Sequence, residues 1–183
     1  MSATNRGSKR NDSDFYATPK TCIQNFLNHY GVINGNILEP SAGNGNIVSV
    51  LKQQGNTYIT ALEIREEELE SLKQIADKVI IGDFLKFNST EKYNYIIGNP
   101  PYSLAQEFIE KCFEIADENT IIIMLLRTAF LESQKRYNFW QKHPVSKLYV
   151  LSQRPSFTGK GTDATSYSWF VWDNSGIQEI HVI

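Results

Sequence analysis

The sequence predicts an α/β fold, an open, doubly wound and mostly parallel sheet with helices on both faces. Three observations lead there. Strand-like and helix-like segments alternate along most of the chain with short connectors, the pattern of successive β-α units. Residues 120–126 are nearly all apolar, as in a strand buried on both faces. Several strand-like segments empty into polar turns, and open α/β sheets bind ligands beyond their carboxyl ends.

Taken in order, residues 1–13 are polar and aperiodic and read as a flexible tail. Residues 19–30 read as a helix: Pro19 suits its first turn, Ile23, Phe26 and Leu27 form an apolar stripe, and Gly31 stops it. A short strand over 36–39 ends at Pro40, and a Gly-rich turn leads into a helix over 46–54. Next come a strand at 57–64, a charged helix at 65–77 and strands at 78–81 and 93–97. A helix over 103–117 carries Phe108, Ile109, Cys112, Phe113 and Ala116 on one face. Beyond the apolar strand come a helix around 130–141 and strands at 147–151 and 166–172, expected to form an antiparallel hairpin about a polar loop. The sheet then has seven strands.

Length and composition bound the function. A chain of 183 residues fits one domain, expected over residues 14–183. Cys22 and Cys112 stand apart without ligand-spaced companions, which suggests reduced thiols and a cytoplasmic protein. No apolar run is long enough to span a bilayer, so no membrane partner is expected. Net charge is −2, yet residues 127–160 hold Arg127, Lys135, Arg136, Lys142, Lys147, Arg154 and Lys160 against Glu132 alone. Such a cationic stretch on an acidic body suits a phosphate-binding face; a solvated helix face is the other reading.

The chemistry-bearing segments sit at the predicted strand ends. Ile37-Leu38-Glu39-Pro40-Ser41-Ala42-Gly43-Asn44-Gly45-Asn46 is a strand, a turn with two spaced glycines, and a helix start. Glycine there permits a tight turn and close approach of backbone to ligand. Val48 replaces the third glycine of the dinucleotide fingerprint, and the lysine of a phosphate-binding loop is missing. Glu39 before the turn suits a cation, such as the sulfonium and ammonium of S-adenosylmethionine, better than a pyrophosphate. Glu63 lies twenty residues after Gly43, where an acid accepts from ribose hydroxyls, with Ile64 beside it. Asp83 is placed to accept from an adenine amino group, with Phe84 packing on the ring. Each acid alone also reads as a surface carboxylate; three at successive strand ends favour a binding site.

The fourth strand end reads Gly98-Asn99-Pro100-Pro101-Tyr102. An exocyclic amino nitrogen is a poor nucleophile because its lone pair is delocalised. Two fixed acceptors for its N–H groups pull it toward a pyramidal geometry, and they favour the positive charge that develops on transfer. The Asn99 side-chain oxygen and the Pro100 carbonyl are candidate acceptors. Pro100 and Pro101 stiffen the loop, because each fixes φ near −65°. Tyr102 is a candidate to stack on the base.

The segments DFYATP, ILEPSAGNG, ALEI, GDF and GNPPY, in that order, resemble the N6-adenine (amino) DNA methyltransferases, in particular short orphan enzymes of phages. The similarity runs from Asp14 to Trp172. It implies a Rossmann-like class I S-adenosylmethionine-dependent methyltransferase fold, S-adenosylmethionine as cofactor, and DNA as partner with the target base flipped out. By the same resemblance Phe15, Tyr16, Thr18 and Pro19 contact the methionine end of the cofactor, and residues 40–45 form its loop. Asn99 to Tyr102 form the catalytic loop, and Phe157 or Phe170 packs on the flipped base, with core packing the alternative for Phe170. Arg136, Lys142, Arg154 and Lys160 are the candidate backbone contacts. Residues 152–165 are either a recognition loop with a cationic lid at Gly159-Lys160-Gly161 or an ordinary surface loop. RNA adenine, a glutamine side-chain amide in a protein, and a non-catalytic binding module remain as alternatives.

Overall fold

A computed structural model describes residues 17–55, 57–157 and 165–183. Strands β1 (Gly35–Glu39), β2 (Thr57–Glu63), β3 (Lys78–Ile81), β4 (Tyr95–Gly98), β5 (Ile121–Arg127), β6 (Lys147–Val150), β7 (Tyr167–Trp172) and β8 (Glu179–Val182) form one sheet in the order β3-β2-β1-β4-β5-β7-β6-β8. The neighbours from β3 to β5 are parallel, β7 runs antiparallel to both β5 and β6, and β8 is parallel to β6. The sheet therefore has one strand more than the seven expected. Its Glu-Ile-His-Val sequence leaves three of the four residues exposed, so no run of core residues announces it.

Helices α1 (Lys20–Tyr30), α2 (Asn46–Lys52) and α3 (Leu69–Lys73) cover one face, while α4 (Ala105–Ile115) and α5 (Tyr137–Lys142) cover the other. Alternation along each strand feeds both layers. In β5, Ile123 and Leu125 join the core under α1 and α2, whereas Ile122, Met124 and Leu126 join the core under α4. A strand buried this way must be apolar at every position, which is why residues 120–126 were so legible.

Two helices differ from expectation. The charged segment after β2 is a short 3₁₀ turn, Glu66–Glu68, followed by α3. The segment after β5 begins as 3₁₀ turns at Thr128–Leu131 and Gln134–Arg136 before α5 starts at Tyr137. Ser133 at φ 118° interrupts helical geometry there. The Arg136 guanidinium then caps the turn, donating to the carbonyls of Phe130 at 2.8 Å and Glu132 at 2.6 Å. Among the described residues, no helix is long and apolar enough to cross a membrane.

The order reverses between β1 and β4: the chain winds outward through β2 and β3 on one side and through β5 on the other. Such a switch point opens a crevice at the carboxyl ends of the strands. Gly45, at φ 76°, turns the chain into α2, and a Cβ there would lie 2.3 Å from Ile75 Cδ1. Gly45→Ala is expected to lower unfolding stability by about 1–3 kcal/mol in urea titration, through left-handed strain and the clash together.

Candidate active site

The carboxyl ends of β1 to β4 enclose a cleft of about 450 Å³. Glu39, Pro40, Ser41, Ala42 and Gly43 come from the turn after β1, Glu63 and Ile64 from the end of β2, Asp83 and Phe84 from beyond β3, and Asn99 and Pro101 from beyond β4. Thr18 lines it from the segment before α1. The residues predicted for a nucleoside pocket thus share one cavity with Asn99 and Pro101 of the predicted catalytic loop.

Close contact between the tips of β1 and β4 makes this possible. A Cβ on Gly98 would stand 3.1 Å from Pro40 Cδ and 3.3 Å from Pro40 Cγ, so a larger residue would push the two tips apart. The Ser41 hydroxyl donates to the Asn99 carbonyl at 3.2 Å. The Asn99 amide nitrogen donates to the hydroxyl of buried Thr18 at 3.0 Å, and Asn46 donates to the Thr18 carbonyl at 2.8 Å. With its nitrogen directed at Thr18, the Asn99 amide has a set rotation, and its oxygen lies on the opposite side of the group.

The acids differ in environment. Glu39 is 1% exposed, and its carboxyl accepts from the Val48 N–H at 3.2 Å. Burial raises it well above the ordinary carboxylate range; the Val48 bond opposes the rise and the nearby Glu63 adds to it. Glu63 accepts from the Gly43 N–H at 2.7 Å through one oxygen and from the Arg65 N–H and Nε at 3.0 and 2.9 Å through the other. Asp83 accepts from the Leu85 N–H at 3.0 Å. Phe84 is buried, with its ring 5.1 Å from that of Phe108.

Several predicted residues stand away from the cleft walls. Pro19 instead starts α1, its carbonyl accepting from the Cys22 and Ile23 N–H groups at 3.0 and 3.3 Å. Gly45 packs beneath α3, and Pro100 is buried. The Tyr102 ring lies 5.5 Å from that of Tyr167 and 6.5 Å from that of Phe157, with the Arg127 guanidinium 5.1 Å over it. These neighbours hold the ring beside the cleft rather than on its wall, and burial lifts its hydroxyl well above the ordinary range. The same cluster brings Phe157 next to the clamp, while Phe170 is fully buried in the core. Phe15, Tyr16 and Lys160 lie outside the described residues.

The cationic stretch does not form one face. Arg136 is engaged with backbone carbonyls, and its guanidinium sits 4.7 Å over the Phe130 ring. Lys142 ends α5 just before β6 begins, so it lies toward the amino-terminal edge of that strand. There Lys147 pairs with Asp173 at 2.9 Å. Arg154 is exposed and follows the carboxyl end of β6. Charge counting along the chain could not register that the stretch runs from one end of the sheet to the other and back.

Sequence reasoning placed Asn44 in the cofactor loop but missed Arg65, Ser103, Leu104 and Phe108, all on the cleft walls. Arg65 had a signal in its spacing: it bridges Glu63 at 2.9 Å and Glu68 at 3.2 Å.

No family model matches the chain. Two solved structures superimpose over most of it. PH1948 of Pyrococcus horikoshii, provisionally described as an RNA methyltransferase, gives a TM-score of 0.69 at 18% identity, covering 93% of this chain and 94% of that one. A Listeria monocytogenes protein, provisionally described as a class I S-adenosylmethionine-dependent methyltransferase, gives 0.64 at 10% identity, covering 88% and 63%. The fold is that of the class I S-adenosylmethionine-dependent methyltransferases. In sequence, the type II methyltransferase M.CvrRI of Paramecium bursaria Chlorella virus XZ-6E is 26% identical over 86% of this chain and 53% of its own length. The tRNA1(Val) (adenine(37)-N6)-methyltransferase of Glaesserella parasuis serovar 5 is 29% identical over 44% of this chain and 42% of its own length. The chain spans about half the length, or less, of these curated relatives.

The donor chemistry of the cleft fits S-adenosylmethionine. Glu39, Glu63 and Asp83 face one cavity where, among the described residues that line it, the one guanidinium is that of Arg65, already shared between Glu63 and Glu68. A ligand with cationic groups, ribose hydroxyls and an adenine amino group supplies the donors and positive charge such a cavity lacks.

The raised carboxyl of Glu39 has a thermodynamic consequence in the cofactor-free protein. Its folded value exceeds its unfolded one, so its contribution is fully present below the unfolded value, near pH 4.5, and fades as pH rises toward the folded value. Glu39→Gln is expected to keep the Val48 bond and flatten that decline, so the variant gains stability relative to wild type as pH rises through this window. Urea midpoints at pH 5 and pH 8 check this; equal wild-type and variant slopes would refute it.

Proposed function

We propose that the chain transfers a methyl group from S-adenosylmethionine to the exocyclic N6 of adenine in DNA, with the target nucleotide flipped out of the duplex. One observation carries the reading: Asn99 and Pro101 line the same cleft as Gly43, Glu63 and Asp83. An acceptor-rich clamp beside a nucleoside-sized, acid-lined cavity is what methylation of a planar amino nitrogen requires.

When bound, S-adenosylmethionine supplies an electrophilic methyl group. The chain supplies position. Asn99 Oδ1 and the Pro100 carbonyl accept the two amino hydrogens and favour the charge that grows on nitrogen. Thr18 and Ser41 hold Asn99 by its side chain and its backbone, so the acceptor geometry is prepaid in the folded state. Glu39 lies nearest the turn and answers the positive charge of the cofactor, while Glu63 and Asp83 take its ribose and adenine. Tyr102 and Phe157, whose rings cluster beside the cleft, are assigned to stack on the extruded base, a contact worth about 1–3 kcal/mol per stacked base.

The similarity to M.CvrRI favours a DNA acceptor. A second reading, RNA adenine, has its own support in the similarity to the tRNA methyltransferase and to PH1948.

Incubation with labelled cofactor is expected to label adenine-containing DNA, and Asn99→Ala to lower turnover by about 10²–10³-fold while cofactor affinity changes little. Label confined to RNA or to protein rejects the DNA assignment, and near-normal turnover of the variant rejects the clamp. The split of the cationic stretch gives a further expectation. Arg154→Glu should reduce the salt slope of DNA binding by about one or more, whereas Lys142→Glu, at the far edge of the sheet, should leave it unchanged. Equal effects of the two substitutions count against the split.

A further inference from the structure

β8 ends the sheet with its outer edge unpaired by any described strand. Edge strands are commonly protected by lysine, proline or a bulge, and the Glu-Ile-His-Val of β8 has none of these. Ile180 and Val182 are 76% and 72% exposed, and Ile177 just before the strand is 54% exposed.

The backbone of β8 also dictates how it can pair. The Glu179 N–H donates to Ser146 O, the Ile183 N–H donates to Val150 O, and the Ile183 carbonyl accepts from Ser152. Odd-numbered residues thus face β6, and alternation turns the N–H and C=O groups of Gln178, Ile180 and Val182 outward. Leu148 is in register with Ile180 and Val150 with Val182, so both exposed apolar side chains lie on the face covered by α4 and α5. Glu179 and His181 lie on the other face, where the His181 ring stacks on Tyr149 with centroids 4.6 Å apart.

The geometry points to a second copy of this chain as the occupant of that edge, the two β8 strands pairing antiparallel about a two-fold axis through Ile180. In that register Ile180 exchanges both backbone hydrogen bonds with its counterpart, and Gln178 does so with Val182 of the other copy. Every outward backbone group of the segment finds a partner. Side chains agree with the backbone. Ile180 meets Ile180, flanked by Val182 from each copy, on one face. Glu179, which contacts the His181 imidazole of its own strand at 3.2 Å, stands opposite His181 of the second copy, and the reverse, on the other, so carboxylates and imidazoles alternate across the axis as hydrogen-bond partners. A foreign strand has no such enforced carboxylate–imidazole match.

This inference is independent of the methyl-transfer reading, and its test needs no activity. Sedimentation equilibrium of the full chain is expected to show reversible monomer–dimer association. Ile180→Cys is expected to form a disulfide-linked dimer under mild oxidation, because directly opposed hydrogen-bonded positions lie about 5.5 Å apart in Cα. Ile177→Cys, also exposed but off the pairing register, should not. Cys22 and Cys112 are buried and leave the readout clean. Ile180→Lys and Ile180→Glu should each sediment as monomers, and their mixture should recover the dimer, which a merely misfolded variant could not do. A chain that is monomeric at every concentration overturns the proposal. So does a dimer that survives Ile180→Lys, or cross-linking as efficient at position 177 as at 180.

Discussion

The site depends on two strand tips being allowed to touch. β1 and β4 are sequence-distant neighbours at the reversal of strand order, and the turn beyond each tip carries half of the chemistry. Gly98 removes the side chain that would hold Pro40 away, Ser41 reaches the Asn99 carbonyl, and Thr18 binds both Asn46 and the Asn99 amide. A loop tied at so few points would normally wander. Here two prolines restrict its backbone, Thr18 holds the Asn99 side-chain amide, and Ser41 holds the Asn99 carbonyl. The Asn99 amide therefore sits on a rigid frame rather than on a mobile loop, the condition under which oriented dipoles are most effective.

The same crowding sets the electrostatics. Three carboxyl groups converge because three parallel strands end together, and each is handled differently. Glu63 accepts from two backbone N–H groups and the Arg65 guanidinium, Asp83 caps the turn after it, and Glu39 is left with burial and a single backbone donor. An acid so placed favours its neutral form until a cation arrives. On the proposed function, the stability that burial costs at Glu39 would be returned as affinity for the positively charged cofactor.

Much of this was legible in the chain because parallel sheets write their tips plainly. The apolar run of β5, the glycines after β1, and acids at successive strand ends each arise from local stereochemistry, and the order of strands then brings them together. The features that escaped reading were set by tertiary context. β8 is an edge strand with only half its residues on the protein, so it carries no strong pattern. The segment from Thr128 to Arg136 has helix-forming residues but yields to 3₁₀ turns around the positive φ of Ser133 and the carbonyls that Arg136 seeks. Gly45 looked like a ligand-binding glycine by spacing and is a packing glycine by position. Tyr102 was recognised as part of the loop, but nothing local revealed that Tyr167, Phe157 and Arg127 converge on its ring from beyond β5 and from the hairpin.

β7 runs antiparallel to β5 and β6, so it begins at the rim where those two strands end. The chain leaving β5 and residues 151–157 after β6 therefore stand at the carboxyl-end rim on one side, and the turns after β1 to β3 line the crevice. On the proposed function, substitutions on the first side would change which acceptor is admitted, while the second would go on holding the donor. Such a scaffold would move between acceptors without rebuilding its grip on the methyl source.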